Sequence, residues 1–130
     1  LLRGGRRLPA AIAAADLASD RCLLQVAEPV LRAAPGQRAA RDLRVGERVY
    51  AIGAPRGLEL TLTEGLVSAL RRMDGIDTVQ STAPTAPGSS GGGLFDARGN
   101  LVGITTSGVG RSESLNFALA AEAFWQLRPE

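Results

Sequence analysis

The sequence predicts an all-β protein, and two observations support this expectation. Short apolar runs rich in Val, Ile, Leu and Thr recur along the 130 residues, and turn-forming residues separate them. Evenly spaced short strands with such turns are typical of a β-barrel or sandwich. Only the last segment departs from this pattern, because its alanines and aromatic residues have helical spacing.

Seven runs are predicted strands, and four turns divide them. The strands cover residues 22–26, 48–52, 60–70 with a break near Gly65, 78–82, 93–95, 101–106 and 115–119. The turns are expected at residues 35–36, 55–57, 74–75 and 108–110, where Gly and Pro concentrate. Residues 120–127 are predicted to form a helix that packs on the barrel, with Phe124 and Trp125 as core anchors.

Composition excludes several classes of function. The formal net charge is only +2, and the arginines lack the interleaved aromatic residues that base stacking requires, so no nucleic acid is expected. No run approaches the length of a membrane span. With no histidine and one cysteine, neither a metal nor a cofactor is expected. The single Cys22 is predicted to be a buried thiol in its strand.

The stretch Gly88-Ser89-Ser90-Gly91-Gly92 is the strongest functional signal. Glycines on both sides of Ser90 allow conformations in which successive backbone N–H groups converge beside the serine oxygen. Such a point would be an oxyanion hole. An isolated match of this kind is more often a solvated glycine-rich loop, so the flanking residues decide the interpretation.

The residues after Ser90 distinguish two catalytic architectures. A nucleophile elbow places its serine before a helix, with the histidine later in the chain. Here three glycines lead into a predicted hairpin, residues 93–106 with a turn at Gly99, and no histidine follows. A nucleophile that leads directly into a hairpin favours the chain order histidine, aspartate, serine.

Four stretches of this sequence resemble motifs of the HtrA/Deg branch of trypsin-like serine proteases. Residues 88–94, GSSGGGL, resemble the segment G-N-S-G-G-x-L, and residues 100–106 resemble the strand after it. Residues 43–57 resemble L-x-x-G-x-x-V-x-A-I-G-x-P-x-G, and residues 63–70 resemble T-x-G-I-V-S-A. The order and spacing over most of the chain make the resemblance much more specific than the pentapeptide alone.

The resemblance implies a trypsin-like double β-barrel and assigns roles to residues of this chain. Ser90 would be the nucleophile, with Asp20 as the triad acid and Asp16 as its competitor. The oxyanion hole would involve Gly88, Ser89 and Ser90, chiefly the N–H groups of the first and last. Substrate contacts are expected from the pocket residues Pro84, Thr85 and Ala86, and from an edge strand containing Ile104, Thr105 and Thr106.

The resemblance also implies the organisation of the chain. Residues 1–30 would be the end of the first barrel with the acid-bearing strand, residues 31–119 the second barrel, and residues 120–130 a short C-terminal helix. The chain is too short for both barrels, and the triad histidine is expected upstream of Leu1.

The expected activity of the complete protein is hydrolysis of peptide bonds. The expected partners are an extended peptide or unfolded protein and the upstream barrel segment, and an oligomer is compatible with the sequence. The resemblance implies that the protein is periplasmic, secreted or membrane-anchored outside the cytoplasm. The alternative is an inactive pseudoprotease that binds peptides or proteins.

Overall fold

The computed structural model describes residues 2–3, 6–27, 31–54, 60–106 and 116–127. Its regular structure is almost entirely β, which confirms the predicted fold class. The strands are β1 (Leu2–Arg3), β2 (Arg6–Arg7), β3 (Ala10–Asp16), β4 (Arg21–Val26), β5 (Arg48–Gly53), β6 (Thr61–Met73), β7 (Ile76–Ser81), β8 (Gly93–Asp96), β9 (Leu101–Thr106) and β10 (Asn116–Ala120). Two short 3-10 helices span Ala40–Asp42 and Ala121–Gln126.

The chain divides into two compact units, the first of which consists of Leu1–Ala33 with Phe124–Glu130. Its main feature is an antiparallel hairpin of β3 and β4. Strand β3 has the sequence AAIAAAD, in which the alanines favour a helix, and the sequence pattern gave no indication of a strand there. Hydrogen bonding to β4 overrides that propensity. Cys22 on β4 is exposed, so the prediction of a buried thiol is wrong.

The second unit, Ala34–Ala123, is built on a closed six-stranded barrel. The strands follow one another around the barrel in the order β10, β7, β6, β5, β8, β9, and each neighbouring pair within that order is antiparallel. Closure pairs the edges of the sheet with each other. The largest fully buried side chains come from five different strands and are Leu94, Val49, Val67, Val79, Val102 and Thr78.

Strand β6 is continuous through Gly65, where the sequence suggested a break. Gly65 pairs with Val49 on β5, and a β-carbon on Gly65 would come within 2.2 Å of the Ala83 nitrogen. The glycine therefore permits a close approach of two backbones and does not end the strand. The predicted turns at residues 55–57 and 108–110, and Leu115 at the start of the last strand, lie outside the described residues.

The predicted C-terminal helix is present as the 3-10 helix Ala121–Gln126. A 3-10 helix has three residues per turn, so the face that an α-helix would bury shifts. Ala121, Ala123 and Leu127 are buried, whereas Trp125 is 65% exposed and is not the predicted core anchor. In the described part of the chain, no helix is long and apolar enough to cross a membrane.

An ion cluster ties the segment before β5 to the turn between β8 and β9. Arg38 pairs with Glu47 and with Asp96, whose side chain is only 3% exposed. The hydrogen bond from Arg38 lowers the pKa of Glu47. Burial acts to raise the pKa of Asp96, but bonds from Asn100, the Arg98 N–H and Arg38 together lower it. Both carboxylates are therefore stabilised in their charged form.

Candidate functional site

The loop before Ser90 begins with a tight turn from Ala86 to Ser89. The Ser89 N–H donates to the Ala86 carbonyl at 2.9 Å, and Gly88 has a φ of 93°. A type II turn requires a positive φ at its third residue and favours proline at its second. Pro87 and Gly88 meet them. In this turn type, the central peptide between Pro87 and Gly88 is flipped relative to the commoner type I turn.

The N–H groups of the loop are either available or already hydrogen-bonded, and the two kinds alternate from Gly88 to Gly91. The N–H groups of Gly88 and Ser90 have no hydrogen-bond acceptor among the described residues. The other three are engaged: Ser89 donates to Ala86 O, Gly91 to Thr105 O at 2.8 Å, and Gly92 to Ser89 O at 3.0 Å. Three N–H groups of the loop thus form hydrogen bonds within the protein, and the other two are available to an external acceptor.

Ser89 does not belong with these two available donors. Its N–H is already engaged in the turn, so of the three residues predicted for the oxyanion hole only Gly88 and Ser90 have an available N–H group among the described contacts. Ser89 is instead buried against Gly53, where a β-carbon would lie 3.1 Å from both the Cβ and the Oγ of Ser89. Ser89 therefore anchors the loop to the end of β5.

Ser90 itself is exposed at the surface of the second unit. Its hydroxyl has no hydrogen-bond partner within the described ranges, and Gly91, which follows it, has a φ of 90°. A positive φ is easily adopted only by glycine. The glycine therefore lets the chain turn sharply after Ser90 and leaves the hydroxyl accessible to a substrate and to a base.

Strand β6 holds the segment that precedes the loop. The Thr82 N–H donates to Leu66 O at 3.0 Å, and the Leu66 N–H donates to the Thr82 hydroxyl at 2.9 Å. Further along, the Thr63 hydroxyl donates to Pro84 O at 2.7 Å. Gly65 allows the close approach that these bonds require. The predicted pocket segment is thus fixed to the barrel wall.

A cavity of about 160 Å³ lies beside the loop, within the second unit. The predicted pocket residues Pro84, Thr85 and Ala86 all line it, together with Ser89 and Thr105. The remaining wall comes from the ends of β5 and β6: Ala51, Ile52, Gly53, Thr61 and Thr63. The structure thus places the predicted pocket residues next to the loop of the predicted nucleophile.

The described residues that line the cavity are uncharged, and three of their hydroxyls are already engaged. Thr63 donates to Pro84 O, Thr85 donates to the Asn116 side chain at 2.9 Å, and Thr105 donates to Ser89 O at 2.8 Å. Among the described residues, no carboxylate lines the cavity to pair with a cationic side chain. Across the described ranges, no group of three or more His, Cys, Asp or Glu is placed to hold a metal ion.

Strand β9 is not an open edge at Ile104 and Thr105. Ile104 lies between Gly93 on β8 and Leu119 on β10. Thr105 pairs with β10 on one side, and on the other its N–H and carbonyl are bonded to the loop after Ser90. Thr106 pairs with Phe117 on β10. Substrate contacts by Ile104, Thr105 and Thr106 stay a prediction.

The two candidate acids, Asp16 and Asp20, flank the turn of the β3–β4 hairpin in the first unit. Asp16 accepts the Ala18 N–H at 3.1 Å and pairs with Arg21 at 3.4 Å. Its side-chain bond with Ser19, together with these contacts, lowers its pKa. Asp16 is thus engaged in holding the turn. Asp20 directly precedes β4 with a φ of 57°.

Two residues of the site were not identified from the sequence as part of it. Gly53 supports Ser89, and Thr63 fixes Pro84. Gly53 stands in the A-I-G stretch that carried the resemblance, so its requirement for close packing was available as a signal. Thr63 is the first residue of the stretch that resembles T-x-G-I-V-S-A, but the motif does not show that its hydroxyl bonds to Pro84.

Comparison with known proteins agrees with the barrel fold. A family model described as a trypsin-like peptidase domain matches residues 1–104. The serine protease Do-like HtrB of Bacillus subtilis is 34% identical over 131 residues, which cover 91% of this chain and 29% of HtrB. The periplasmic pH-dependent serine endoprotease DegQ of Escherichia coli is 36% identical over 126 residues, covering 91% of this chain and 28% of DegQ.

A solved structure of the HtrA-type protease AlgW with a decapeptide is similar over 96% of this chain and 41% of its own, with a TM-score of 0.85 and 32% identity. This chain therefore spans less than half the length of each of these three proteins. The family model covers most of the 130 residues, and the HtrA-type proteases share the barrel. The chain belongs to the trypsin-like peptidase domain family, with HtrA-type serine proteases among its relatives.

Proposed function

We propose that the protein carrying this chain is a serine endopeptidase in which Ser90 attacks the carbonyl carbon of the scissile peptide bond. A histidine takes the proton from the Ser90 hydroxyl and later returns a proton to the leaving amine. Since these 130 residues contain no histidine, that base comes from another part of the protein. Asp20 orients the imidazole and stabilises its protonated form.

The observation that carries this proposal is the pair of available N–H groups at Gly88 and Ser90. When Ser90 attacks a carbonyl, the carbonyl oxygen becomes negatively charged, and donors fixed in advance stabilise that charge. Loss of one such donor typically slows an enzyme by about 10²- to 10³-fold. The three engaged N–H groups keep the loop in place, so no reorganisation is needed during the reaction.

The substrate is an extended peptide or an unfolded protein. The cavity beside Ser89, whose described lining residues are uncharged, suits a small or medium apolar side chain on the acyl side of the cleaved bond. The peptide-bound state of AlgW supports peptide binding, and the name of DegQ supports a location outside the cytoplasm.

Peptide hydrolysis by the full-length protein tests the proposal. Ser90→Ala is expected to reduce turnover to background, since it removes the nucleophile. Ser68→Ala, which removes an exposed hydroxyl from β6, is the matched control and is expected to leave turnover unchanged. Equal turnover by wild type and Ser90→Ala would refute the proposal. Tight peptide binding without any turnover by a folded wild type would support the pseudoprotease alternative.

The isolated 130-residue chain supplies a second control. Without a histidine it lacks a general base, so no Ser90-dependent hydrolysis is expected in an ordinary peptidase assay. Substantial Ser90-dependent hydrolysis by the isolated chain would mean that another group acts as the base.

A further inference from the structure

Thr105 on β9 is bonded to the loop at four points. Its N–H donates to Gly92 O at 2.9 Å, and its carbonyl accepts the Gly91 N–H at 2.8 Å. Its hydroxyl donates to Ser89 O at 2.8 Å and, at 3.2 Å, to Gly92 O. The side chain is buried, with 7% of the residue exposed. Thr105 therefore holds the chain on both sides of Ser90.

The Thr105 hydroxyl makes hydrogen bonds to the loop that the backbone of β9 cannot make. Any residue at position 105 could make the two backbone bonds, since they require only an N–H and a carbonyl. Only a side-chain donor can bridge Ser89 O, which precedes the nucleophile, and Gly92 O, which follows it. Gly91 and Gly92 have no side chains to restrict the loop, so the hydroxyl adds a constraint to those that the engaged backbone N–H groups already supply.

We propose that the Thr105 hydroxyl is the group that positions Ser90, by fixing the nucleophile loop in the conformation that leaves the Gly88 and Ser90 N–H groups available. This inference rests on the proposed peptidase function. Thr105 acts through Ser89 and Gly92, so it is a positioning residue and not a catalytic one.

The test compares Thr105→Val with Thr105→Ser in the full-length protein. Valine keeps the shape but removes the donor, and serine keeps the donor but removes a methyl group. The rate of Ser90 labelling by a fluorophosphonate and the kcat for a peptide are expected to fall about five- to tenfold in the valine variant, the equivalent of about one buried hydrogen bond. KM is expected to stay within about twofold, and serine to restore the rate.

Thr78→Val is the control for a general loss of stability. Thr78 is buried on β7, and its hydroxyl donates to Ile76 O at 3.1 Å, away from the loop. This variant removes a comparable hydroxyl from the barrel, so its labelling rate is expected to match that of wild type. A fall in labelling equal to that of Thr105→Val would show that the effect is one of stability, and would overturn the inference.

Hydrogen exchange gives a readout that does not depend on activity. In Thr105→Val, the amides of Gly91 and Gly92 are expected to exchange about five- to tenfold faster than in wild type, while β6 and β7 are unchanged. Unchanged exchange in the loop would overturn the inference even if the wild type is a working peptidase. Conversely, faster loop exchange in a protein that Ser90 labelling shows to be inactive would support the positioning role while refuting the proposed function. Ser90 labelling as slow in Thr105→Ser as in Thr105→Val would also overturn the inference.

Discussion

Gly92 lies so close to the backbone of β5 that a β-carbon on it would come within 2.2 Å of the Ile52 carbonyl oxygen. No side-chain rearrangement could relieve this contact, because the obstructing atom belongs to a paired strand. The loop that carries Ser90 is thus built directly against the barrel wall, with no space for a methyl group.

Gly92→Ala is therefore expected to displace the loop and to reduce Ser90 labelling by at least about 10²-fold, because a small misplacement of a catalytic group has effects of that size. Gly93→Ala is the matched control. The added β-carbon would meet the Phe95 ring and a methyl group of Leu101. These side-chain atoms can move aside, so a smaller loss of Ser90 labelling is expected. A Gly92→Ala variant that labels like wild type would contradict the packing described for the loop.

The type II turn at Pro87 and Gly88 gives a second prediction. An L-residue in place of Gly88 is strained at a φ of 93°, and rotation of the central peptide towards a type I turn relieves that strain. The rotation would turn the residue-88 N–H away from its present direction. Gly88→Ala is expected to lower kcat about 10²-fold with little change in KM.

Gly99→Ala separates backbone strain from the loss of this donor. Gly99 has a φ of 82° with open space around its β-carbon position, and it lies in the turn between β8 and β9. The Gly99→Ala variant should lose about 1 kcal/mol of stability, similar to the loss expected for Gly88→Ala. Its kcat should be unchanged. If both alanine variants lowered kcat equally, the assignment of the Gly88 N–H would fail.

The cavity predicts which bonds are cleaved. The described residues of its wall include no carboxylate, so a lysine or arginine side chain would be buried there without a partner among them, at a cost of several kcal/mol. Profiling of the full-length protein with a peptide library is expected to show small or medium apolar residues on the acyl side of the cleaved bond. Dominant Arg or Lys at that position would mean that a different pocket binds the substrate.

The Arg38, Glu47 and Asp96 cluster predicts how stability depends on pH. Both carboxyl groups have a folded pKa below the unfolded value, so the stability they contribute is present above the unfolded pKa. This stability decreases as the pH falls below about 4, because the unfolded protein then binds protons at these carboxyl groups more readily than the folded protein does. The free energy of unfolding, measured by chemical denaturation, should therefore fall between neutral pH and about pH 3.

Asp96→Asn isolates the contribution of the cluster. It should cost about 2 kcal/mol at neutral pH, because it removes the charged partner of Arg38, and its stability should depend less on acidic pH than that of wild type. Asp74→Asn, in the exposed turn between β6 and β7, is the control and should keep the wild-type pH dependence. An identical pH dependence of wild type and Asp96→Asn would contradict this account.

The sequence predicted the barrel strands because short apolar runs rich in Val, Ile, Leu and Thr recur between turns that are rich in Gly and Pro. It did not predict β3, where alanines such as Ala14 give no strand signal and only the pairing with β4 decides the conformation. Trp125 was misjudged because the helix is of the 3-10 type, whose period differs from that of an α-helix.

For the site, the sequence identified the residue types but not their hydrogen bonds. That Ser89 differs from Gly88 and Ser90 depends on the turn type, although Pro87 followed by Gly88 is the pattern that favours type II. Which strand edge is open depends on the register of β9 between its two neighbours, and no local pattern shows that at Ile104.

The central claim is that Ser90 is an activated nucleophile, and mapping a covalent adduct tests it most directly. The full-length protein is treated with a fluorophosphonate, digested and sequenced by tandem mass spectrometry, which resolves Ser90 from the adjacent Ser89. The account predicts a stoichiometric adduct on the Ser90 oxygen that disappears when the protein is unfolded before treatment. An adduct on Ser89 or on another residue, or no adduct on a folded protein, would contradict it.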